Sequence, residues 1–221
     1  MEKSVTAKLI SYSQNENRDT LLDQIAYAAR VSNPSNQDNK ETSEKLVRYL
    51  IRENHWSPLE MVSACIEIET TRDIARQILR HRSFSFQEFS QRYADPTKDL
   101  KFIGREARLQ DLKNRQNSID TDDEELNELW DQVQRKLIKN AEDAYKWAIE
   151  SGIAKEQARA ILPEGNIGSR LYMNGTLRSW VHYIELRSGH GTQKEHMEIA
   201  RQCADALEPV FPMIKEFVDD A

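Results

Sequence analysis

The densest chemistry in the chain runs from Thr71 to Tyr93, TRDIARQILRHRSFSFQEFSQRY. Arg72, Arg76 and Arg80 stand four apart, the spacing that stacks side chains on one face of a helix. Arg82, Arg92 and His81 add further cationic or proton-bearing groups, against only Asp73 and Glu88 as carboxylates. A lone series of arginines at this spacing is ordinarily a solvated helix face. Two features point beyond that. Gln77 lies one turn before Arg80, and Arg80-His81-Arg82 runs directly into sequence that interleaves Ser with Phe84, Phe86 and Phe89. Guanidinium groups take phosphate oxygens in pairs and hydroxyls add donors, so this is the chemistry of a nucleotide site. Each phenylalanine is a core residue in the first instance; together they could stack on a planar ring.

Such a site must be local. Lys and Arg number 31 against 37 Asp and Glu, a formal charge of −6, which argues against a nucleic-acid polymer held by charge. The two cysteines, Cys65 and Cys203, make no disulfide framework and fit a reducing compartment. The first ten residues carry no apolar signal core, and no apolar run is long enough to span a bilayer. These features predict a cytoplasmic protein (host cytoplasm if viral) with no membrane partner. No group of His, Cys and carboxylates has metal-ligand spacing.

The elements that must position the arginines follow from periodicity. Val5, Ala7 and Leu9 alternate as a first strand, and Leu22, Ile25, Ala26 and Ala29 recur at helical spacing. Leu46, Leu50 and Ile51 mark a second helix. Val62, Ala64, Ile66 and Ile68 then alternate with polar residues as a half-buried strand, from which Thr70 or Thr71 can cap the arginine helix. Residues 111–125 are polar and charged and read as a mobile insertion. A long helix follows with Leu126, Leu129, Val133, Leu137, Ala141, Ala144 and Ala148 on one stripe. A short helix ends at Pro163, Ile167 to Met173 alternate as a strand, and Thr176 opens a helix with Leu177, Trp180, Val181 and Ile184 inward. Thr192 and Glu195 have capping-box spacing ahead of the last helix, where His196 reads as a surface residue. The pattern predicts an α+β fold over residues 1–221, a single domain with a small, mostly antiparallel sheet packed against several long helices.

Arg80-His81-Arg82, seven further residues and Ser90 resemble the RHR-x7-S signature of the flavin-dependent thymidylate synthases, and Ser90-Gln91-Arg92-Tyr93 is similar to its continuation. Ala29-Arg30-Val31-Ser32, His55-x-Ser57-Pro58-x-Glu60, Ala158-Arg159-x-x-Leu162-Pro163, Leu177-Arg178 and Leu186-Arg187 resemble further segments of that family, in its order. His182 stands where many members carry Asn, and His190 near where many carry a histidine after the late arginine. The resemblance implies reductive methylation of dUMP to dTMP. It implies 5,10-methylenetetrahydrofolate as carbon donor, FAD as hydride carrier, NADPH as reductant, and a homotetramer whose subunits share active sites. Carried over by position, Ser32, His55, Ser57, Arg80, His81, Arg82, Glu88, Arg178 and His182 would contact FAD. Gln77, Arg80, Glu88, Ser90, Arg92, Arg159 and Arg187 would contact dUMP, with Arg187 activating the uracil. The absence of Gly-x-Gly-x-x-Gly argues against a Rossmann fold, so arginines would have to meet the FAD pyrophosphate.

Two other readings compete. A methyltransferase with a cysteine nucleophile needs an activated thiolate, yet Cys65 lies mid-strand and Cys203 on an apolar helix stripe, places for a small core residue. A single-stranded nucleic-acid module would use Arg with Phe as a stacking groove, against which the net charge counts.

Overall fold

The alternation from Ser63 to Thr71 decides the architecture, because it buries one side of a nine-residue strand and leaves the other for polar groups. In the computed structural model, which describes residues 5–189 and 191–219, Ala64, Ile66 and Ile68 of this strand (β2, Ser63–Thr71) are buried while Cys65, Glu67 and Glu69 lie half-open on the opposite face. β2 pairs antiparallel with β1 (Thr6–Tyr12) on one side and with β6 (Gly168–Thr176) on the other. A short strand, β3 (Ser85–Glu88), completes the order β1-β2-β6-β3. Among the described residues every pairing in this sheet is antiparallel, in keeping with the mostly antiparallel sheet that the sequence predicts.

The buried face of the sheet is covered by helices. These are α1 (Leu21–Ala29), α2 (Ser43–Arg52), α7 (Leu177–Arg187) and α8 (Lys194–Leu207), which share one core with Leu59, Val62, Ile74, Ile78 and Phe84. Thr176 caps α7, its hydroxyl accepting from the Ser179 amide. Trp180, fully buried, donates its indole N–H to the Ala64 carbonyl at 3.0 Å and so pins α7 to β2. Gly175 is required at its place in β6: a Cβ there would stand 2.4 Å from the Phe84 ring.

Several elements depart from the sequence reading. The arginine helix, α3 (Arg72–Ile78), is only seven residues long, so Arg72 and Arg76 share a face but Arg80 falls in the turn beyond its end. Thr71 holds the N-cap position with its hydroxyl on the Asp73 carboxylate, not on a backbone amide. β3 carries no periodic signal of its own; its four residues extend because β6 offers them a free edge. The expected short helix before Pro163 is one α turn, α6 (Lys155–Ala158), continued as a 3-10 turn over Arg159–Ile161.

Beyond a single helical turn, α4 (Pro96–Asp99), the polar stretch after Arg105 closes as a hairpin of β4 (Arg108–Gln110) and β5 (Ser118–Asp120). Asp111 anchors its turn by accepting from the Lys113 and Asn114 amides and from Asn117. The hairpin gives way to α5 (Glu124–Glu150), capped by Asp123. Along α5 the packed residues are Gln134, Ile138, Ala141, Tyr145 and Ala148, whereas Leu129 (52% exposed), Val133 (59%) and Leu137 (50%) face outward. The helix thus carries two apolar stripes, and the predicted one is mostly the outer. Among the described residues no helix is long and apolar enough to cross a membrane.

Candidate active site

The RHR segment owes its place to the early end of α3. Leu79 closes the helix, the His81 amide bonds to the Ile78 carbonyl, and the turn delivers Arg80 and Arg82 to the surface with His81 half-buried between them. Arg187, the last residue of α7, donates Nε–H to His81 Nε2 at 3.0 Å. A cation is well placed at that helix end, where the carbonyl dipoles converge. Because Nε2 accepts, His81 is the neutral tautomer with its proton on Nδ1. Burial, and after it the Arg187 charge, push the His81 pKa down to about 4. The ring stands edge-on to Tyr183, 5.0 Å between centroids.

Behind this pair lies a cluster that the sequence reading misses. His196 is completely buried, not on the surface. Its Nδ1 is 3.3 Å from the Gln77 side-chain oxygen and its Nε2 is 3.2 Å from the Tyr183 hydroxyl. Burial, then the charge of Arg187 and the neighbouring His81, lower its pKa to about 3. The signal was present: His196 stands three, four and seven residues before Ile199, Ala200 and Cys203, all fully buried, and so shares their stripe. Glu195 does not form the expected capping box. The cap of α8 is Gln193, and Glu195 instead accepts from Gln193 and from Arg108.

A second group of predicted residues gathers where α2 ends and α7 begins. His55 and Ser57 are exposed on the turn after α2, the His55 ring edge-on to Tyr49 at 6.4 Å. The His182 ring lies 4.9 Å from Trp56 with the two planes tilted by 55°, and Arg178 pairs with Glu60. Ser32 is exposed on the turn that ends α1, a helix that packs on α2.

The third group forms around β3. Glu88 is gripped by Arg76 at 3.1 Å and Arg72 at 3.6 Å, and accepts from the Ser169 hydroxyl at 2.8 Å. Glu164, unnoticed in the sequence, holds the same two arginines at 3.6 and 3.9 Å. Burial, offset by Glu88, lowers the Arg72 pKa, and the charges of Arg76 and then Arg159 add to the lowering. Ser90 turns its hydroxyl to the Arg92 amide, and Arg92 is exposed with Glu156 at 3.4 Å.

The remaining sequence candidates resolve simply. Phe84 is core, 4.8 Å from Trp180. Burial raises the pKa of both thiols, and Cys203 is completely buried, so neither is an activated nucleophile. Among the described residues no cluster of three metal-ligating side chains exists. His190 lies outside the described residues.

Comparisons with known proteins converge on one family. A family model described as thymidylate synthase complementing protein matches residues 8–213. A probable flavin-dependent thymidylate synthase of Paramecium bursaria Chlorella virus 1 is 48% identical over 217 residues, 97% of this chain and 99% of the viral protein. A flavin-dependent thymidylate synthase of Synechocystis is 50% identical over 190 residues, 86% of each chain. Among solved structures, the UMP/dUMP methylase PolB of Streptomyces cacaoi, bound with 5-Br dUMP, superposes with a TM-score of 0.79 at 25% identity. The superposition covers 98% of this chain and 95% of that one. An RHR turn set against the late-helix arginine, together with matches that span nearly the whole sequence, shows that this chain belongs to the flavin-dependent thymidylate synthase family.

Proposed function

We propose that the protein methylates dUMP to dTMP, taking the carbon from 5,10-methylenetetrahydrofolate and the electrons from NADPH by way of FAD, in the cytoplasm. The observation that carries this reading is the 3.0 Å bond from Arg187 to His81, which sets a guanidinium against the RHR turn. The overall step balances as dUMP plus methylenetetrahydrofolate, NADPH and one proton, giving dTMP, tetrahydrofolate and NADP+.

The residues present suit FAD. Arg80 and Arg82 are exposed cations beside the hydroxyl of Ser83, and Ser32, His55 and Ser57 expose further polar groups. That donor set can meet a pyrophosphate without a glycine-rich loop. Arg80, His81, Arg82 and Glu88 would hold the cofactor together with Ser32, His55, Ser57, Arg178 and His182. When bound, the flavin supplies hydride chemistry that no side chain has.

The protein's own part is charge and placement. Ser90, Arg92 and Arg159 hold the nucleotide phosphate, each charge-assisted bond contributing about 1.5–3 kcal/mol. Gln77, Arg80 and Glu88 complete the nucleotide contacts. Arg187 stabilises negative charge on the uracil as carbon 5 becomes nucleophilic, and needs no reorganisation because His81 already fixes its Nε. His81, kept neutral, adds no second cation to repel Arg187.

The three groups of site residues and the outward apolar stripe of α5 both support a homotetramer in which subunits complete one another's sites. The direct test is optical and chemical. Purified protein is expected to be yellow, with flavin bands bleached by NADPH, and to release tritium from 5-tritiated dUMP only when methylenetetrahydrofolate is present. Tritium release without flavin in the protein would overturn the reading.

A further inference from the structure

The side chains behind the RHR turn form one hydrogen-bonded line from Arg108 on β4 to Tyr183 on α7. Its polarity can be read from one end. Arg108 donates to Glu195, and the Gln193 side chain lies 2.9 Å from the other oxygen of that carboxylate. Burial alone would raise the Glu195 pKa, but the hydrogen bond from Arg108 and the charges of Arg105 and Arg108 hold it below the ordinary value, so it is ionised and can only accept. Gln193 must then turn its amide nitrogen to Glu195 and its oxygen to Gln77, whose Nε2 donates to it at 2.8 Å. This leaves the Gln77 oxygen facing His196 Nδ1, which must carry the proton, and His196 Nε2 must accept from the Tyr183 hydroxyl. No member can be reversed without facing two donors or two acceptors. The whole line is set by one salt bridge between β4 and α8.

We propose that His196, with Tyr183 and Gln193, is a positioning residue that fixes which way round the Gln77 amide is presented to dUMP, so that its second N–H, and not its oxygen, meets the nucleotide. The proposal rests on the reading of Gln77 as a dUMP contact. It explains why a histidine tolerates complete burial beside His81 and Arg187: neutral, it has both a donor and an acceptor role filled. It also explains the place of the β4–β5 hairpin, whose Arg108 orders a line that passes through Gln77.

The test uses the FAD-loaded enzyme and four variants: Gln77→Ala, His196→Leu, the double variant, and His196→Asn, whose amide N–H can replace the Nδ1 donor. His196→Leu is expected to raise the KM for dUMP about tenfold, equivalent to about 1.4 kcal/mol, with kcat changed less than about threefold. The double variant is expected to be no worse in KM than Gln77→Ala, because the two residues act as one unit. His196→Asn is expected to recover most of the loss. Additive losses in the double variant, or a fall in kcat and flavin content with KM unchanged, would give His196 a purely structural role and overturn the proposal. An unchanged KM in Gln77→Ala would instead remove Gln77 from the nucleotide site, and the relay's purpose with it. The Gln77→Ala result thus separates failure of the dUMP contact from failure of the positioning role.

Discussion

Arg187 and the two histidines near it show how single side chains acquire a role from what surrounds them. Arg187→Ala should keep the fold and the flavin while turnover with saturating dUMP falls by about 10²–10³-fold, the usual cost of removing a preorganised charge stabiliser. Undiminished turnover would take Arg187 out of the reaction. Replacing Arg92 or Arg159 with Ala should weaken dUMP far more than deoxyuridine, which lacks the phosphate; equal losses by calorimetry would assign these arginines to structure. His196 and His81 make a prediction about acid. Their pKa values fall in the folded state, to about 3 and about 4, from 6.5, so the unfolded chain binds more protons between those values. Stability is therefore fully present above about pH 6.5 and is lost as the pH falls, by up to about 1.4 kcal/mol per pH unit for His196 and by less for the half-buried His81, whose charge solvent screens. Urea unfolding from pH 7 to pH 5 should show this slope reduced in His196→Asn; equal slopes would contradict it. Of these residues the sequence displayed Arg187 and His81 by motif. The burial of His196 was legible only from its spacing to Ile199 and Cys203, and Gln193 and Glu164 had no local signal, because their partners are 116 and 92 residues away, at Gln77 and Arg72.

The elements that carry the site are held by a few contacts that local propensity does not contain. β2, β6 and α7 were legible because alternation and a Thr cap speak directly in sequence. The end of α3 at Ile78 was not, since Arg80 keeps the helical spacing and only the tertiary turn withdraws it. β3 was invisible for a related reason: it is made a strand by its partner, Phe86 opposite Met173 and Glu88 opposite Leu171. Gly175 is the point where this arrangement is most exposed to change, because Phe84, directly upstream of β3, packs on its Cα. Gly175→Ala is expected to destabilise the protein by about 1–3 kcal/mol through overpacking and to lower flavin content by displacing the RHR turn. An unchanged melting temperature and flavin ratio would show that Phe84 yields freely.

At the largest scale, the homotetramer proposed above has an outward apolar stripe as its physical basis. Leu129, Val133 and Leu137 on α5 face outward, and the predicted site residues stand in three groups. The sequence predicts the stripe but not what covers it, and packing within one chain covers only its Ala141 and Ala148. Val133→Asp together with Leu137→Asp should shift the protein to smaller species by sedimentation and abolish turnover while the chain stays folded; a full-sized, active double variant would remove α5 from the interface. In the proposed reaction hydride comes from NADPH through flavin while the folate gives up only its carbon, with no thiol attacking the uracil. The most direct measurement is the folate product formed, with NADPH present, by a protein carrying both Cys65→Ser and Cys203→Ser. One tetrahydrofolate is expected for each dTMP made. Dihydrofolate in its place, or a folded, flavin-loaded double variant that makes no dTMP, would contradict the proposed reaction.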